Sequence, residues 1–139
     1  VGAIVGDVVG SVYERAGTER TDVSLVHHLS RPTDDSVMTA AVAAAILDAD
    51  ANDPPYADWM RRLGSSYPDA GYGGSFKQWL INRDAGPYNS WGNGSAMRVS
   101  PAGWAWDTAE RARQILHQIV ASVHRALLSR PQVPISGRS

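Results

Sequence analysis

The sequence predicts an all-α fold. Apolar residues recur at helical spacing in several separate segments, no segment alternates in the manner of a half-buried strand, and turn residues collect between the helical segments. With 139 residues, 43% of them hydrophobic and 19% charged, the chain is long enough for one domain with a core and too short for two ordinary ones.

The elements follow in order. Gly2, Gly6 and Gly10 recur every four residues and form one smooth stripe on a first helix. Each glycine costs a helix about 1 kcal/mol relative to alanine. Close approach to another backbone or to a ligand is the expected reason for the stripe. Asp7 and Glu14 are seven residues apart and lie near one face, with Gly10 between them. Residues 15–31 read as a loop. Thr33 is a good N-cap for an alanine-rich helix that runs to about Leu47, with Met38, Val42 and Ala45 toward the core. Pro54 and Pro55 break the chain before a short helix carrying Tyr56, Trp59, Met60 and Leu63 on one side. A glycine-rich turn at 71–74 precedes another short amphipathic helix with Phe76, Trp79 and Leu80. Residues 82–95 have loop chemistry throughout, and an irregular stretch of that length is more often functional than idle. A last helix runs from Asp107 to about Leu128. Asp107 and Glu110 fit a capping box, and Ile115, Ile119, Val123 and Leu127 make the apolar stripe. One helical domain at 1–128 followed by a flexible tail at 129–139 is the expected organisation.

Composition excludes several classes. There is no cysteine, so disulfides, thiolate metal sites and cysteine nucleophiles are absent. No apolar run reaches the roughly 18 residues of a membrane span, and no membrane partner is expected. The opening stretch carries Asp7 and lacks the basic start of a signal peptide, so a cytoplasmic location is expected. The net charge of −1 does not favour nucleic acid, although it hides a split. Residues 1–110 hold all 14 acids, whereas 111–139 hold five arginines and no acid, which reads as a solvated basic end. No serine-hydrolase elbow, Walker A loop or dinucleotide fingerprint occurs. The pairs His27–His28 and His117–His124 read as surface histidines.

Thr33-Asp34-Asp35-Ser36 places two carboxylates and two hydroxyls in one helical turn. They suit a capped helix start whose acids complement the positive terminus. They equally suit a hard-cation site, since Mg²⁺ and Ca²⁺ prefer oxygen ligands and two like charges gain from a cation between them. Asp48 and Asp50 lie about 14 residues further along the same helix, roughly 20 Å away, and read as its solvated end. Asp7 or Glu14 can reach the cluster from the first helix. Gly92-Asn93-Gly94-Ser95 reads as exposed amides before a helix, suited to an anion, with Tyr88 and Trp91 beside it for stacking on a base or sugar.

Four stretches in order, GAIVGDVVGSVYE at 2–14, TDDSVMTAAVAAAIL at 33–47, GYGGSF at 71–76 and SWGNGSAMRVSPAG at 90–103, resemble the ADP-ribosylglycohydrolase family. The resemblance covers about the first 105 residues. It implies an all-α fold around a binuclear Mg²⁺ centre and cleavage of the glycosidic bond of ADP-ribose. It also implies metal ligands at Thr33, Asp34 and Asp35, and catalytic roles for Glu14 and Asp35. The substrate-binding set it implies is Asp7, Ser90, Trp91, Gly92, Asn93, Gly94 and Ser95. The family's second-half metal motif, of Gly-Gly-Asp-Thr-Asp-Thr type, does not occur here. Two outcomes are therefore expected. One is an Mg²⁺-dependent hydrolase acting on an ADP-ribosylated substrate. The other is a non-catalytic, truncated remnant that self-associates as a dimer or larger homo-oligomer and at most binds metal or nucleotide.

Overall fold

The computed structural model describes residues 1–14, 21–48, 54–90 and 92–123. Asp50, Asp53, Trp91, His124, Leu127 and the expected tail at 129–139 lie outside the described residues. Within them the chain forms six α-helices and a single 3₁₀ turn, with no β-strand. The helices are α1 (Gly2–Gly10), α2 (Asp34–Asp48), α3 (Tyr56–Ser66), α4 (Gly74–Ile81), α5 (Ala102–Ala105) and α6 (Ala109–Ala121), and the 3₁₀ turn is Asn93–Ser95. No helix among the described residues is long and apolar enough to cross a membrane.

α2 is the central element. Its sequence is small and apolar on nearly every side, the pattern of a helix surrounded by protein. Met38, Ala41, Val42 and Ala45 are fully buried, as their spacing predicts. α3 is its principal neighbour, followed by α1. From α3, Tyr56 and Met60 enter the core, with Trp59 and Leu63 at its margin. α4 contributes Phe76 and Trp79, whose rings stack 5.4 Å apart. Gly64 on α3 lets α4 approach, because a Cβ there would stand 2.8 Å from a Leu80 methyl.

α6 and the turn after it close the core with Ile115, Ile119 and Val123, all fully buried. Its cap differs from the expected Asp107. Thr108 is the N-cap residue, with extended backbone, and its hydroxyl accepts from the Arg111 amide at 3.3 Å. A threonine one residue later satisfies the same helix-start requirement, so the capping-box spacing from Asp107 to Glu110 is displaced. The short α5 was not legible from periodicity, since four residues carry no period.

α1 departs from expectation in its packing. None of its residues is buried, and a Cβ at Gly2, Gly6 or Gly10 would meet nothing within 4 Å. The glycine stripe is therefore not a close-packing seam against any described residue. Gly6 and Gly10 instead border an open cavity beside α2. His27 and His28 stand outside any helix, and their rings stack 4.5 Å apart rather than diverging. Asp48 is not simply solvated: it accepts from Trp59 Nε1 at 2.9 Å, tying the end of α2 to α3.

Truncating a side chain at the centre of α2 removes packing that the surrounding helices cannot restore. Met38→Ala is expected to lower stability by about 2–5 kcal/mol, read from the denaturation midpoint followed by circular dichroism.

Candidate functional site

The first turn of an α-helix leaves amide donors without intrahelical partners. At the start of α2 these donors are taken by groups distant in sequence. The Asp34 amide donates to the Ala70 carbonyl at 2.8 Å. The amides of Thr33 and Ser36 both donate to Asp7 Oδ2, at 2.8 and 3.1 Å. The hydroxyls of Thr33 and Ser36 also donate to the Asp7 carboxylate, to Oδ1 and Oδ2 respectively. Thr33 thus occupies the cap position by its carbonyl, which accepts from Val37, but its side chain does not cap. The carboxylate of α1 caps α2 from outside.

This anchoring brings acids together. One oxygen each from Asp7, Glu14 and Asp35 lie within 4.8 Å of one another. Glu14 reaches this point because the chain continues beyond α1 by another turn, its amide donating to the Gly10 carbonyl at 3.2 Å. The three residues border a cavity of about 280 Å³ together with Gly6, Gly10 and Met97. Asp7 is half-buried and most of its lone pairs serve the α2 anchor, so Glu14 and Asp35 offer the freer oxygens. All donors are carboxylates, which matches the oxygen preference of a hard divalent cation.

Asp34 turns the other way. It lines an adjoining cavity of about 170 Å³ with the Gly73–Phe76 start of α4, Ser90, the Gly92-Asn93-Gly94 turn and Arg98. Met97 borders both cavities, and the Thr39 hydroxyl donates to its carbonyl at 3.3 Å, fixing the wall between them to α2. Gly71 has φ +105°, open to glycine at little cost, and a Cβ there would sit 3.6 Å from Asp34 Oδ1. Ser90 Oγ accepts from the Gly92 amide at 3.2 Å and shapes the turn. The expected helix after Gly92 is only the 3₁₀ turn Asn93–Ser95, and Ser95 is buried beneath it, lining neither cavity. Thr33 is likewise buried. The start of α4 has no side-chain cap, and its residues Gly73 to Phe76 border the Asp34 cavity.

Arg98 was not singled out by the sequence reading. It is 1% exposed, donates to Met60 Sδ at 2.9 Å, and lies with its guanidinium 5.7 Å from the Phe76 ring centre. Burial pushes its pKa down to about 10, opposed by Tyr88 and Asp34, so it remains cationic at neutral pH. The stretch at 90–103 that contains Asn93 also contains this arginine, which is the signal that was available. Burial raises the pKa of both Asp34 and Asp35. Asp34 is raised further by Asp35, then by Glu14 and Asp7, against its own backbone hydrogen bond; Asp35 is raised further by Asp7.

Two consequences are measurable. Asp7→Ala removes the acceptor of two amides and two hydroxyls, and is expected to cost about 2–4 kcal/mol in chemical denaturation. The raised carboxyls of Asp34 and Asp35 hold protons in the native state at pH values where the unfolded chain has released them. Their contribution to stability is therefore lost as pH rises above the ordinary 3.8 toward their raised values. In metal-free buffer, Asp34→Asn is expected to flatten that decline in melting temperature with pH.

A family model described as ADP-ribosylglycohydrolase matches residues 1–127, and so extends through α6. The chain is also 28% identical over 160 residues to ADP-ribosylhydrolase ARH3 of Mus musculus, in an alignment that covers 91% of this chain and 43% of that protein. The chain thus spans less than half the length of the relative. With helices in place of strands, an acidic cluster at the α1–α2 junction and the family match over most of its length, this chain belongs to the ADP-ribosylglycohydrolase family.

Proposed function

We propose that the chain is the metal- and nucleotide-binding part of an Mg²⁺-dependent ADP-ribosylhydrolase. The observation that carries this reading is the convergence of Asp7, Glu14 and Asp35 within 4.8 Å, beside a second cavity lined by the uncapped start of α4 and a buried arginine. Three carboxylates with no nitrogen or sulfur donor suit Mg²⁺, which keeps several waters and needs only a few protein oxygens. Glu14 and Asp35 are the principal ligands and Asp7 adds its less occupied oxygen. Thr33 and Asp34, the other ligands implied by resemblance, stand at the margin: Thr33 holds Asp7 in place, and Asp34 remains for a second ion facing the nucleotide.

ADP-ribose presents a pyrophosphate to the Asp34 cavity. The start of α4, which no side chain caps, and the Asn93-Gly94 amides suit that anion, and Arg98 adds positive charge from below. Ser90 holds the turn in shape. Tyr88 gives the cavity an aromatic wall. When bound, the cation orients ribose hydroxyls and stabilises charge that develops as the glycosidic bond breaks. Glu14, the most exposed of the three acids, takes a proton from the attacking water and passes one to the departing group, as a bond from the water oxygen to the ribose carbon replaces the glycosidic bond, and Asp35 holds that water.

A second reading rests on the uncovered face of α1. Val1, Ile4 and Val5 are exposed there, and a chain of this kind can self-associate as a dimer or larger homo-oligomer while binding metal or nucleotide without turnover.

The test is release of ADP-ribose from an ADP-ribosylated protein in Mg²⁺ and in chelator, alongside thermal shift. The proposed enzyme shows release only with Mg²⁺, a higher melting temperature with Mg²⁺, and a loss of about 10²–10⁴-fold in rate for Glu14→Gln and Asp35→Ala. Shifts with Mg²⁺ and ADP-ribose without release at any protein concentration select the binding-only reading. The absence of both shifts overturns both.

A further inference from the structure

Arg61, on α3, lies outside the candidate site, yet its guanidinium is committed on two sides. Nη1 donates to the Arg83 carbonyl at 2.5 Å, and Nη2 donates to the carbonyls of Ala85 at 2.7 Å and Asn82 at 3.3 Å. These carbonyls belong to the end of α4 and the turn that follows, where unsatisfied acceptors and the negative helix terminus favour a cation. The flat face of the same group lies 4.2 Å from the Trp79 ring centre. Trp79 stacks on Phe76, and Phe76 carries the Arg98 guanidinium on its ring at 5.7 Å.

A ladder of cation, indole, phenyl and cation therefore runs from Arg61 to the floor of the nucleotide cavity. Phe76 and Arg98 line that cavity. The turn that Arg61 holds leads directly into the segment bearing Tyr88 and Ser90, which line it as well. At its far end this segment is pinned by the Tyr88 amide, which donates to the Val123 carbonyl at 2.9 Å. A planar fork with several fixed donors suits such a cluster of carbonyls, whereas an ammonium satisfies only part of it.

We infer that Arg61 is a positioning residue for nucleotide recognition: it clamps the 82–85 turn and anchors the Trp79–Phe76–Arg98 stack, so that two walls of the nucleotide cavity are formed before an ADP-ribosyl ligand arrives. This rests on the proposed function for the identity of the ligand, while the clamp itself does not. Preformed walls avoid ordering the 82–90 segment on binding, so loosening the clamp weakens the ligand without touching it. The carboxylate cluster is held by α1 and α2 and is independent of this device.

Hydrogen exchange over residues 82–90, ADP-ribose titration and Mg²⁺ titration, each on the full chain with Arg61→Ala and Arg61→Lys, test the inference. Expected for Arg61→Ala are faster exchange across 82–90, including the Tyr88 amide, and ADP-ribose affinity lower by about tenfold, the scale of one or two lost polar contacts. Mg²⁺ affinity and helical content are unchanged, and Arg61→Lys recovers part of the loss. Unchanged exchange over 82–90 in Arg61→Ala overturns the clamp. A parallel fall of Mg²⁺ affinity, ADP-ribose affinity and helical signal in both variants assigns Arg61 to general stability and also overturns it. Wild-type protein that binds no ADP-ribose overturns the proposed function, and the exchange measurement then still decides the clamp.

Discussion

The carboxylate of Asp7 holds the site together. It sits on one helix and satisfies the opening turn of the next, accepting from two amides and two hydroxyls across a sequence gap of more than 20 residues. An acid near a helix N-terminus gains from the amide charges there, and the gain is larger when the groups are partly removed from water. That contact sets where α1 lies on α2. It therefore also sets the distance from Glu14 to Asp35, on which the cation reading depends. Both Asp7 oxygens accept, Oδ1 one bond and Oδ2 three, so the carboxylate that joins the acidic cluster is also the one that anchors the start of α2.

The helical framework was legible because its signals are local or periodic. Met38, Val42 and Ala45 repeat at the spacing of a buried stripe, and they are buried. The same holds for Tyr56 and Met60 on α3, Phe76 and Trp79 on α4, and Ile115, Ile119 and Val123 at the end. The errors fall where one residue decides an outcome. Asp107 and Thr108 are both capable caps, and the backbone conformation selects the threonine. The glycine stripe implied a close neighbour, but spacing alone does not distinguish a packed groove from the edge of an open cavity.

The site was legible in its chemistry and less so in its partition. Neighbouring aspartates at a helix start, two more acids on the first helix and a glycine-rich turn were all visible as residue types. That Asp35 would join Asp7 and Glu14 while Asp34 faced the Asn93 turn was not, because the division arises from contacts between distant segments. The two buried or clamped arginines were invisible for a related reason. An arginine in a sequence reads as surface charge until the aromatic rings and carbonyls that surround it are in place.

Asp34 and Asp35 are consecutive, so their side chains point about 100° apart around the α2 axis and serve different compartments. Asp34 nevertheless senses Asp35, whose negative charge makes it harder to ionise. A cation held beside Asp35 would therefore ease the ionisation of Asp34, so the occupancy of one cavity bears on the charge of a group that lines the other.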